Sequence, residues 1–190
     1  MPPLIIKKGD RTPVSRNFTA NEFYCKSADA PASHSFPSEL VEAVQFLRDY
    51  FNTPWRVTSG VRTPAHELRI CQTQKLDLHL VTSSQHVKRR AVDSRPKNRD
   101  PAIMATLQHD LLQRGPIFQK LRQIGVRGFG VYDGFVHLDI RVEPGKQHDE
   151  LGTYAFWNNM VDSPKKTTPS PTKKAGAVSV ASSLKSPLAC

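Results

Sequence analysis

Apolar and polar positions follow two rhythms along this chain, and the rhythm switches wherever Gly and Pro residues cluster. From Pro37-Ser38-Glu39 onward, Leu40, Val41, Val44, Leu47, Tyr50 and Phe51 recur at three- and four-residue spacing, the stripe of an amphipathic helix. Asn52-Thr53-Pro54 stops that helix, and Trp55-Arg56-Val57-Thr58 reads as a short strand ending at Ser59-Gly60. Pro64 suits the first turn of a second helix reaching about Cys71. Ala91-Val92-Asp93 predicts another short strand, and Asp100-Pro101 opens a helix through Ile103, Leu107 and Leu111 that Gly115-Pro116 halts. Gly128-Phe129-Gly130-Val131-Tyr132, the pair Asp133-Gly134 and the run from Phe135 to Arg141 predict a β-hairpin with a turn suited to type I′. This order predicts an α+β domain, a small antiparallel sheet with helices packed on one side.

Both rhythms stop after Trp157. The segment from Ser163 to Lys174 is rich in Pro, Ser, Thr and Lys and has no periodic apolar residue. Such a stretch buries too little surface to offset its backbone entropy, so residues 162–190 are expected to be a disordered tail. The domain is expected over residues 17–161, with residues 1–16 as an N-terminal extension.

Composition narrows the function classes. A chain of 190 residues is long enough to build a core without metal or disulfide staples, so a metal here points to function. No run approaches the roughly 18 apolar residues of a membrane span, and Met1 to Lys8 is too short in apolar residues for a secretory signal. The expected place of synthesis is the cytoplasm, with release at lysis or carriage in a virion as routes outward. Cys25, Cys71 and Cys190 lack the spacing of a thiolate metal site, and three is an odd count for a disulfide framework. The formal charge is +10; outside residues 161–190 there remain 22 basic and 16 acidic side chains, a mildly basic +6. That excess favours anionic partners such as wall polymers or nucleic acid. The basic run Lys88-Arg89-Arg90 lacks interleaved aromatic residues, and no helix-turn-helix pattern is present, so nucleic acid is the weaker expectation.

The candidate chemistry lies among the seven histidines, His34, His66, His79, His86, His109, His137 and His148. His86 precedes Asp93 by seven residues, and His137 sits in Phe135-Val136-His137-Leu138-Asp139. In that strand Val136, Leu138 and Ile140 form the apolar face, so Phe135, His137 and Asp139 point the other way. Two histidines and an aspartate around tetrahedral zinc leave one position open, the arrangement of a catalytic site. Alternation alone describes an ordinary polar sheet face equally well.

Three ordered stretches add to this reading. Ser59-Gly60-Val61-Arg62-Thr63-Pro64, then Ser84-Gln85-His86 with Ala91-Val92-Asp93, then Phe135 to Arg141 resemble the zinc D-Ala-D-Ala carboxypeptidase family. That family includes bacterial and phage murein endopeptidases and shares its fold with the hedgehog signalling domain. The upstream Phe18 and Phe23-Tyr24-Cys25-Lys26 resemble its phage-type branch. The resemblance implies Zn2+ held by His86, Asp93 and His137, with Arg62 reaching a substrate carbonyl or carboxylate and Ser84 bonding near the ligand loop. It implies hydrolysis of a peptide bond in peptidoglycan stem peptides or cross-links. Two departures bear on this. Arg89 stands where relatives carry glycine, which predicts a different loop path. Gly134 stands where several branches carry an acid, three residues before the last histidine; Asp133 is then the candidate general base, swung in by the turn, and Asp139 the group that orients a ligand. The alternatives are a non-catalytic zinc-bearing relative that binds wall or capsid, and a basic nucleic-acid-binding protein.

Overall fold

The computed structural model describes residues 2–160; the tail expected over 162–190 and Cys190 lie outside the described residues. The chain runs β1 (Leu4–Lys7), α1 (Ala20–Phe23), β2 (Ser33–Phe36), α2 (Ser38–Tyr50), β3 (Trp55–Ser59), α3 (Pro64–Gln74), α4 (Leu80–Ser83), β4 (Ala91–Pro96), α5 (Pro101–Gln113), α6 (Pro116–Ile124), β5 (Gly128–Tyr132), β6 (Phe135–Asp139), β7 (Gln147–Asp149) and β8 (Gly152–Asn158). Six strands form one sheet in the order β3-β4-β6-β5-β8-β7, and β1 pairs with β2 in a separate ribbon. All these pairings are antiparallel except β5 with β8. The fold is α+β.

Local chemistry explains the helix boundaries. The Asp100 carboxylate accepts from the backbone N–H groups of Ala102 and Ile103, and Pro101 occupies the first turn of α5. Asp110, inside α5, accepts from the backbone N–H groups of Ile117 and Phe118, so one helix caps the next. Gly115 makes that possible: a Cβ there would lie 2.3 Å from the Asp110 carboxylate. The stop after Leu111 was legible, but the sequence did not separate α6 from its surroundings. The hairpin turn also differs from expectation. Neither Asp133 nor Gly134 takes the positive φ that type I′ requires; the Tyr132 and Phe135 rings stack across it with centroids 4.4 Å apart.

The core lies between α2, α5 and α6 and one face of the sheet, to which β4, β5 and β6 contribute Val92, Phe129, Val131, Val136 and Leu138. The N-terminal residues 2–16 contribute to this unit: Ile6 of β1 is fully buried in the core, and Leu4 pairs with Phe36 of β2. Among the described residues no helix is long and apolar enough to cross a membrane. Cys25 and Cys71 are buried free thiols.

Candidate metal centre

The sheet face opposite α2, α5 and α6 carries the site, with α3 and α4 at its edge. In β6, Val136 and Leu138 enter the core, so His137 and Asp139 project to the other side. Register places Asp93 of β4 directly opposite His137. His86 comes from the loop before β4. That loop closes on Arg89, whose φ is +62°, with the Arg89 N–H donating to the His86 carbonyl and the Arg90 N–H to that of Gln85. The arginine therefore adopts the left-handed conformation that favours glycine. The turn it closes is tight and carries about 1–2 kcal/mol of backbone strain.

Ligating atoms of His86, Asp93 and His137 all lie within 4.8 Å of one another, and the three residues are buried. His86 Nδ1 donates to the Gly60 carbonyl at 2.7 Å, which turns Nε2 toward the cluster. Gly60 approaches the Phe23 backbone so closely that a Cβ would lie 2.2 Å from its carbonyl oxygen. His137 Nε2 lies 3.2 Å from Asp139 Oδ2, which turns Nδ1 toward Asp93 Oδ1 at 2.8 Å. Asp139, fully buried, also accepts from Arg141 Nε at 2.9 Å.

Burial opposes charge on each of these groups, and pairing overcomes it. For Asp93 burial would raise the pKa, yet the charge of His86 and hydrogen bonds with His137 and His86 hold it far below the usual carboxylate range. For His137 burial would lower the pKa, yet bonds to Asp139 and Asp93 push it up to about 9. Asp139 is likewise held below the usual range: burial is outweighed by hydrogen bonds with His137 and Arg141. The cluster is thus built to retain positive charge between buried carboxylates. A divalent cation can take the place of the proton on His137 Nδ1, so the residues present fit a metal ion.

Arg62 lies beside the cluster with its donors already directed. Nη2 donates to Asp93 Oδ2 at 2.7 Å, Nη1 to Glu67 Oε2 at 3.0 Å and Nε to Ser59 Oγ at 2.8 Å. Two of its five N–H groups remain beyond these bonds. A cleft of about 620 Å³ runs over the cluster. Its walls include Arg62, Ser84, Arg141, Tyr132 and Trp157, and its apolar lining includes Leu76 and Leu80.

The expected site residues are only partly brought together. His86, Asp93, His137, Arg62 and Ser84 share the cleft, and Asp139 supports His137 from beneath. Asp133 does not join them. It lines a neighbouring cavity with Arg95, Arg99, Met104 and Gln108, and the two cavities share Phe135. The β6 strand begins just after the turn, and its register carries Asp133 to the end of the hairpin rather than over His137. The sequence did not single out Glu67, which among the described residues is the one carboxylate besides Asp93 lining the cleft. The available signal was its place five residues after Arg62, on the first turns of the helix that Thr63 caps by accepting from the His66 N–H.

A family profile described as Peptidase M15 matches residues 16–139. No curated protein and no solved structure matches the chain. The matched span runs from the residue before Asn17 to the end of β6 and includes every residue of the cluster, and on that ground the chain belongs to the peptidase M15 family of metallopeptidases.

Proposed function

We propose that the protein is a zinc-dependent peptidase that hydrolyses a peptide bond in peptidoglycan, as a carboxypeptidase or an endopeptidase acting on stem peptides or cross-links. The observation that carries this reading is the His86, Asp93 and His137 cluster opening into a cleft with an apolar rim at Leu76 and Leu80, which suits a peptide chain. His86 Nε2, the Asp93 carboxylate and His137 Nδ1 would hold the metal. When bound, zinc supplies Lewis-acid polarisation of a carbonyl and an activated water.

The chain's own residues do the rest. Asp139 holds the His137 ring so that Nδ1 faces the cluster. Arg62 fixes Asp93 and Glu67 together and offers its remaining N–H groups to a substrate carbonyl or carboxylate. Glu67 takes the proton from the attacking water and returns it to the leaving amine. Glu67 holds this role in preference to Asp133 because it lines the cleft and Asp133 lines the next cavity. The basic surface favours an anionic wall.

The test is release of free amine or amino acid from a soluble muropeptide by metal-replete protein, with and without chelator, beside His86→Ala. Cleavage lost on chelation and in the variant supports the reading. Metal-replete protein that binds sacculi and releases nothing would make this a wall-binding relative. Absence of both, with DNA affinity that falls steeply with salt, would favour a nucleic-acid role.

A further inference from the structure

One side chain in the cleft has no part in the chemistry above. Tyr132 closes β5, and two residues back on the same sheet face stands Gly130, paired directly with His137. Gly130 leaves a gap beside the imidazole, and the Trp157 indole of β8 fills it: a Cβ on residue 130 would lie 2.6 Å from the indole. The parallel pairing of β8 with β5 places Trp157 opposite Gly130. The indole packs against His137 with centroids 5.2 Å apart and carries the Arg141 guanidinium 5.2 Å from its own centroid.

Held in this way, Trp157 presents Nε1 to the Tyr132 hydroxyl at 2.9 Å. An indole N–H only donates, so the hydroxyl is the acceptor and keeps its own proton as a donor. Stacking on Phe135 fixes the phenol ring from the other side. The result is a hydroxyl held in place in the cleft with its own proton free to donate, joined through one ring to a residue of the metal cluster.

We propose that Tyr132 is a catalytic residue, donating a hydrogen bond to the oxygen of the scissile carbonyl as charge develops on it, and that Trp157 is the positioning residue that aims it. The proposal rests on the peptidase reading. No bond to Tyr132 forms or breaks; the phenol keeps its proton throughout. Donors aimed at a developing oxyanion act mainly on the transition state, and loss of one typically costs about 10²–10³ in kcat.

The experiment compares wild type, Tyr132→Phe and Trp157→Phe for kcat and KM on a soluble muropeptide. It also measures zinc content and the affinity of a phosphinate dipeptide, whose tetrahedral oxygens mimic the charged intermediate, by calorimetry. Tyr132→Phe is expected to lower kcat by roughly 10²–10³ with KM within about twofold. It is expected to weaken phosphinate binding by at least about tenfold with zinc content unchanged. Trp157→Phe keeps a ring against His137 and loses the N–H, so it is expected to show a smaller loss of the same kind. Unchanged kcat and phosphinate affinity in Tyr132→Phe would overturn the proposal. So would a loss of activity that tracks lost zinc in both variants, because a structural role would then suffice. Wild-type protein that neither cleaves the peptide nor binds the phosphinate would instead overturn the peptidase reading itself.

Discussion

His137 Nε2 lies 3.2 Å from the Oδ2 of Asp139, two residues further along the same strand. Strand alternation puts both on one face, so a residue of the metal cluster and the carboxylate that orients it come from a single tripeptide. Asp139 is in turn held by the Arg141 backbone N–H at 3.0 Å and its Nε at 2.9 Å. Asp139→Asn should therefore keep the fold and weaken metal retention by roughly 10–100-fold. Competition against a chromophoric chelator measures this, with circular dichroism reporting the fold. Retention equal to wild type would remove Asp139 from the site.

Glu67 and Asp133 make opposite predictions because they line different cavities. Glu67→Gln should retain zinc and lower kcat by roughly 10²–10⁴, the usual share of general acid–base catalysis. Asp133→Asn should leave turnover within about twofold of wild type. The reverse pattern, in single-turnover assays at saturating peptide, would return the proton to the hairpin turn.

The Arg89 turn offers a stability test. Glycine relieves the strain of φ +62° and loses more chain entropy, two effects of about 1 kcal/mol that largely cancel. Arg89→Gly should then melt within a few degrees of wild type or slightly higher. Arg89→Val, with a branched Cβ at positive φ, should melt several degrees lower. Calorimetry of metal-free protein keeps metal affinity out of the comparison. A lower Tm for the glycine variant than for the valine variant would contradict the turn geometry.

Far from the metal centre, the buried Arg122 guanidinium donates to Asp149 through Nε at 2.8 Å and Nη2 at 2.7 Å. Those hydrogen bonds, opposed by burial, lower the Asp149 pKa below its ordinary value. A depressed folded pKa gives stability that is present above the unfolded value, about 3.9 for aspartate. It is lost as pH falls through the folded one. Asp149→Asn should thus cost ~2 kcal/mol at pH 7, and the gap to wild type should narrow below about pH 4. Urea unfolding across pH 2–7 on the metal-free protein reads this gap. A gap independent of pH would mean that the carboxylate charge contributes nothing.

The amphipathic stripe of α2, the strands around Val57 and Val92, and the outward face of His137 were legible because each depends on spacing within a few residues. His86 and Asp93 were legible only through the ordered resemblance, since seven residues along a loop and strand carry no periodic signal of shared space. β1 escaped notice because four residues make too short a pattern, and Ile6 is buried only once β2 pairs with it. The placement of Asp133, Tyr132 and Trp157 was decided by tertiary structure alone. The register of β6 carried Asp133 away from the cluster; Glu67 meets Arg62 locally at the start of α3, and only the placement of that helix beside the sheet puts the pair in the cleft. The parallel pairing of β8 with β5 brought Trp157 onto Gly130 across a gap of 27 residues. Local patterns determine which way a side chain faces. What it faces depends on which distant strand or helix closes the chain back upon it, and that is settled only by the balance of packing across the whole sheet.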